Sequence, residues 1–176
     1  MPAAALGTFG PFHPSVRGVD WSCGDAVVTT FEGSILMSDV EELVHVLSDE
    51  ACWALLKDRS LGRIATSAAK EIDIFPVNYY SDGSTILLRT APGTKLVEMT
   101  IKSEVAFEID EFSDTEAWSV VVKGTAHLLE THADIDEAEA SPLTSWIPTL
   151  KYAYVRITPT SVSGRHFVRG PEPERF

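Results

Sequence analysis

The residues of this chain predict a mainly β protein, an antiparallel barrel carrying a few helices. Three observations carry that expectation. Between residues 61 and 168 the apolar, β-branched and aromatic residues recur in short runs of strand length: Leu61–Thr66, Ile72–Tyr80, Thr85–Thr90, Val105–Asp110, Trp118–Glu130, Ala153–Thr158 and Val162–Phe167. Turn signals at Ala68-Ala69-Lys70 and Ser81-Asp82-Gly83-Ser84 join neighbouring runs, which favours hairpins over helical crossovers. A single helix pattern, Gly93–Thr100, crosses after the third strand, and such a meander closes as a small closed or partly closed barrel.

The elements outside the strands follow in order. Residues 1 to about 20 are rich in Gly, Pro and Ala, with Pro2, Pro11 and Pro14, and read as an extended arm with no core of its own, suited to lying across a partner subunit. The segment Ala26–Phe31 has strand character, with no sign of which sheet it joins. Ser38-Asp39 and Ser48-Asp49-Glu50 each set a capping residue and carboxylates ahead of helical spacing. The second of these starts a helix over 49–58 with Cys52, Leu55 and Leu56 on one face. Packing just before it, at Ile35, Leu43 and Val46, looks less regular. An acidic helix is expected at Ala133–Ala140, and Pro142 and Pro148 bracket the loop leading to the last strands.

Composition bounds the function. The chain has 176 residues, 44% of them hydrophobic, enough for one domain with a substantial core. Its net charge is −12 with basic residues scattered, which speaks against a nucleic-acid or anionic-membrane surface, so any anion must be held by a local site. Cys23 and Cys52 do not make a disulfide framework, and the five histidines show no H-E-x-x-H spacing, so no metal is expected. Without a basic n-region at the start or a run of ~20 apolar residues anywhere, the expectation is a reduced, cytoplasmic protein that does not span a membrane.

The stretch Leu88–Leu96 holds the sharpest local signal. A strand pattern ends and a helix pattern begins there, with Arg89, Thr90, Gly93, Thr94 and Lys95 at the junction. Free N–H groups at a helix start, hydroxyls and two cations make a seat for a phosphate. The alternative is an ordinary capped connection with surface ion pairs on an acidic protein. The G-x-x-x-x-G-K-[ST] spacing of a nucleotide-triphosphate loop is absent.

Five ordered blocks extend this signal: Gly62-Arg63-Ile64-Ala65, Phe75-Pro76-Val77-Asn78-Tyr79-Tyr80, Leu88-Arg89-Thr90 with Gly93-Thr94-Lys95-Leu96, Val105-Ala106-Phe107-Glu108-Ile109-Asp110, and Trp118 to Ala126. In that order and spacing they resemble the pyridoxamine 5′-phosphate oxidase-like family of FMN-binding split-barrel proteins, and most of all its nitroimidazole-reductase-type branch. The likeness spans about residues 48–168, leaving an N-terminal arm at 1–47 and a tail at 169–176.

The resemblance implies a split β-barrel of six to seven antiparallel strands, and a homodimer with one FMN in each of two intersubunit clefts. The FMN phosphate would sit on Arg89, Thr90 and Lys95 with the N–H groups of Gly93, Thr94 and Leu96. The strand through Pro76, Val77, Asn78 and Tyr79 would run beside the flavin ring, and Trp118 and Ser119 would approach it from the partner subunit. It also implies a flavin-dependent oxidoreductase of a small organic substrate, the flavin itself carrying the redox chemistry. Similar barrels bind a deazaflavin or haem, for which His166 is the late-strand axial candidate, and a non-catalytic flavin-binding or sensor protein is the reading of another class. For single residues a plainer role competes: Asn78 could bond a turn, Trp118 could be core or interface, and Glu108 with Asp110 could partner Arg63. Arg165-His166 lacks the signature around the substrate-binding pair of true pyridoxamine phosphate oxidases, so vitamin B6 phosphate is not the expected substrate.

Overall fold

The computed structural model describes residues 43–68, 71–91, 103–147 and 149–172. The expected strand at Ala26–Phe31, the cap at Ser38-Asp39, the turn residues Ala69 and Lys70, and the helix at Gly93–Thr100 lie outside them.

Strand β1 (Val44–Leu47) leads through the N-cap Ser48, whose hydroxyl accepts from the Ala51 N–H at 3.3 Å, into helix α1 (Asp49–Asp58). Asp49 and Glu50 in the first turn and Lys57 in the last complement the helix dipole, and Cys52, Leu55 and Leu56 form its buried face. Burial pushes the Cys52 thiol up, helped by Asp49, so it serves as an apolar core group rather than a thiolate nucleophile. Strands β2 (Leu61–Ala68), β3 (Glu71–Ser81), β4 (Ile86–Thr90), β5 (Ser103–Phe112) and β6 (Glu116–Leu128) follow. Helix α2 (His132–Glu139) is capped by Thr131, which accepts from the Asp134 N–H at 3.2 Å, and β7 (Ala153–Val168) completes the order.

All strand pairs are antiparallel. The order β1-β7-β4-β3-β2-β5-β6 closes on itself because β6 also pairs β7 along its length, Glu116↔Val168 to Leu128↔Val155. Long β7 is the closing stave. One edge takes all of β6, and the other is shared between β4, at Ala153–Ile157, and β1, at Gly164–Phe167. A closed sheet removes exposed edges, and its inward positions make a single core around Ile64, Tyr79, Ile86, Leu88, Phe107, Val120, Val122, Val155 and Ile157. Tyr79 meets Phe107 edge to face, ring centroids 4.9 Å apart. Gly62 is required by close approach, since a Cβ there would overlap the Phe107 ring.

Turn chemistry fixes the β3–β4 hairpin. Asp82 accepts from the N–H groups of Ser84 at 2.6 Å and Thr85 at 2.7 Å, and Gly83 takes a φ of +97° that other residues resist. Two boundaries differ from expectation. The sheet reaches into the segment assigned to the arm, because Val44–Leu47 finds a free length of β7 beyond the end of β4. The two runs expected at Ala153–Thr158 and Val162–Phe167 are one strand: Pro159 between them sits at a register shift opposite Lys123 and Gly124, where a bulge spares the missing N–H and Thr160 Oγ1 donates to the Lys123 carbonyl at 3.2 Å.

Candidate functional site

The barrel parts where β3 and β4 diverge. Their ladder runs only from Ser81↔Ile86 to Tyr79↔Leu88, whereas β4 stays on β7 to Thr90↔Ala153. Between the strands a cavity of about 420 Å³ opens, lined by Leu61, Phe75, Pro76, Val77, Asn78, Arg89, Thr90, Trp146, Ile147 and Lys151. Five residues picked from sequence, Pro76, Val77, Asn78, Arg89 and Thr90, thus meet on one wall.

Arg89 is the site's electrostatic anchor. Its Nη1 donates to the Tyr154 hydroxyl at 3.4 Å and its guanidinium carbon lies 6.0 Å from that ring's centroid, so the side chain is held by stacking as well as by a hydrogen bond. Its Nε is buried and has no hydrogen-bond partner among the described residues. A buried guanidinium donor without an acceptor is costly, and an anionic group in the cavity would satisfy it. Lys151 adds a second cation, and no carboxylate lines the cavity among the described residues, although the whole chain carries −12. The other walls are apolar and aromatic. That combination suits a flat heteroaromatic ring attached to a phosphate.

The remaining predicted residues are placed differently. Asn78 is occupied by the protein: its amide donates to the Ser60 carbonyl at 3.3 Å, and its oxygen accepts from the Trp146 N–H at 3.2 Å. Tyr79 faces the other side of β3, 2% exposed within the core, where burial raises its phenol. Trp118 is 8% exposed, with the Arg59 guanidinium 5.7 Å from its ring, and Ser119 lines a separate shallow pocket with Val46, Val121, Ser163 and Arg165. Neither lines the cavity that holds Arg89. Gly93, Thr94, Lys95 and Leu96 lie outside the described residues.

Glu108 and Asp110 face Arg63, as the plainer alternative had it, with Arg63 Nη1 donating to Glu108 at 3.1 Å and also to Asp110. His166 is buried between β1 and β6, its ring stacked on His45 at 6.0 Å and its Nε2 3.6 Å from Glu116, so it is placed in an inter-strand contact rather than at the cavity. The described residues contain no group of three metal-ligating side chains, and no helix among them is long and apolar enough to cross a membrane. Sequence reasoning missed Leu61, Phe75, Trp146, Ile147 and Lys151. The signal for the last three was an apolar pair and a cation inside a proline-bracketed loop, where solvated polar residues are the rule.

A closed antiparallel barrel with a cation-bearing cleft defines the class as a split-barrel protein. The chain belongs to the pyridoxamine 5′-phosphate oxidase family, whose model matches residues 48–166. Among solved structures it is similar to a candidate pyridoxamine 5′-phosphate oxidase of Corynebacterium glutamicum, with 44% identity and a TM-score of 0.67 over 74% of this chain and 97% of that one. It is also similar to an FAD-binding protein of Mycobacterium smegmatis, with 41% identity and a TM-score of 0.63 over 70% and 98% of the two chains. An uncharacterized protein of Mycobacterium tuberculosis is 48% identical over 93 residues, 53% of this chain and 84% of that one.

Proposed function

We propose that this chain is a flavin-dependent oxidoreductase acting on a small organic substrate, with one FMN per chain and its phosphate at Arg89. The observation that carries the reading is the buried Nε of Arg89, unpartnered among the described residues, on a side chain held by Tyr154 in a cavity whose other walls are mainly apolar. Thr90 and Lys151 stand beside it to share the phosphate, and Lys95 is the further cation that the sequence offers. Phe75, Pro76 and Val77 would flank the ring and exclude water from one side. A bound flavin supplies the electron and hydride transfer itself, so binding, orientation and shielding are what the chain must add.

FAD is a second reading, favoured by the 41%-identical FAD-binding relative; its longer tail would need room beyond the cavity. We further propose a homodimer in the cytoplasm. Ile72 and Ile74, 75% and 64% exposed, lie two apart on β3 and form an apolar strip suited to a second subunit.

The absorbance spectrum of the purified protein tests the cofactor. Flavin bands, with FMN or FAD identified after release by denaturation, support the reading. A Soret band, or a colourless protein that takes up neither nucleotide, refutes it.

A further inference from the structure

The loop between α2 and β7 carries more apolar surface than a solvated connection should. Trp146, Ile147, Leu150 and Tyr152 are 62%, 59%, 75% and 64% exposed, and the first two also line the cavity. Large side chains exposed together beside a cavity mark a binding surface.

This loop is held rather than loose. Ser145 Oγ donates to the Ile147 carbonyl at 3.0 Å, and the Thr149 N–H donates to the same carbonyl at 2.8 Å. Asn78 ties this loop to the barrel, accepting from the Trp146 N–H while donating to the Ser60 carbonyl just before β2. One amide therefore fixes the distance between Trp146 and the β3 wall. Lys151 is the loop's single charge between Ser145 and Tyr152 among the described residues, and it lines the same cavity as Arg89, so the exposed side chains of Trp146, Ile147, Leu150 and Tyr152 present no charge.

We infer that residues 145–147 and 149–152 form a substrate-facing cap over the cofactor cavity, latched by Asn78, that selects a planar, uncharged aromatic compound. The inference rests on the flavin reading, since the cofactor would fill the inner cavity and leave Trp146, Ile147 and Leu150 as the outer wall. A charged substrate would gain no partner there and would lose its hydration. Trp146 is the specificity residue. Asn78 is a positioning residue, acting through the Trp146 backbone.

The test is calorimetric titration of the FMN-saturated full chain with 2-acetylnaphthalene and with 2-naphthalenesulfonate, beside an FMN titration of every variant. The expected result is saturable binding of the neutral compound, with the sulfonate at least ~10-fold weaker. Trp146→Ala should weaken the neutral compound ~10-fold or more, and Trp146→Phe should restore most of it, each measured at saturating FMN. Asn78→Ala should give a smaller loss that Asn78→Asp, which keeps the acceptor for Trp146 but loses the donor to Ser60, recovers only in part. Equal affinity in wild type and Trp146→Ala, or preference for the sulfonate, overturns the cap. A shift of Trp146→Ala from dimer to monomer by light scattering also overturns it, because a second copy would then cover the rim. Failure of the wild type to bind FMN is the separate result that overturns the flavin reading, and the cap with it.

Discussion

Replacing Arg89 by Met keeps the stem that packs on Tyr154 and removes the charge from the cavity. In the protein as it stands, the guanidinium has one weak donor contact, 3.4 Å to the Tyr154 hydroxyl, and a buried Nε with no partner among the described residues. Folding therefore gains little from the charge, and Arg89→Met should change stability by under about 1 kcal/mol. Flavin binding should respond much more. A charge-assisted contact to phosphate is worth roughly 1.5–3 kcal/mol, which corresponds to a roughly 10- to 150-fold weaker FMN affinity. Riboflavin has the same ring and no phosphate, so its affinity should be unchanged. The assay is a pair of fluorescence-quenching titrations, FMN and riboflavin, on wild type and variant, with thermal unfolding as the folding control. A folded Arg89→Met protein that keeps the wild-type ratio of FMN to riboflavin affinity would refute the placement of the phosphate.

Other positions give independent checks. Tyr79→Phe removes a buried hydroxyl that has no hydrogen-bond partner among the described residues, so it should leave FMN affinity unchanged and be neutral or stabilising by up to about 1 kcal/mol in urea unfolding. Gly62→Ala should destabilise by about 1–3 kcal/mol in the same assay, because its Cβ would meet both the fully buried Phe107 ring and the Glu108 carbonyl oxygen at 2.9 Å. Glu108 has its carboxyl raised, first by burial and then by Asp110, only partly offset by Arg63. The ionised form is therefore disfavoured in the fold, and the penalty grows as pH rises from the unfolded value near ~4.3 through the higher folded one. Glu108→Gln should be more stable than wild type at pH 7, by under about 1 kcal/mol given solvent screening, and the advantage should vanish below pH ~4 when unfolding is repeated across pH.

Where the sequence was legible, local physics decided the outcome. Helix α1 was readable to its ends because Ser48, two carboxylates and a three-residue apolar face all act within ten residues. The β3–β4 hairpin was readable because Asp82 and Gly83 satisfy its turn without help from elsewhere. The two misread boundaries both depend on β7. Whether Pro159 ends a strand or sits in a bulge, and whether residues 44–47 join a sheet, is decided by which neighbour offers a free edge, and that is a property of closure rather than of the local residues. The site divides in the same way. Arg89 and Thr90 were visible as a charge and a hydroxyl at a strand end. Alternation along β3 does place Tyr79 on the core side, but a block read as one unit, 76–79, obscured that its faces part. The Asn78 latch needed a partner 68 residues away in sequence, at Trp146, and no local pattern announces such a contact.

FMN binding to the intact chain is tested most directly by one titration. Purified full-length protein is added to FMN while flavin fluorescence is followed to saturation. The account predicts saturable quenching with a stoichiometry of one FMN per chain. Fluorescence that stays constant at protein concentrations well above that of the flavin would contradict it, leaving the split barrel with a different ligand or with none.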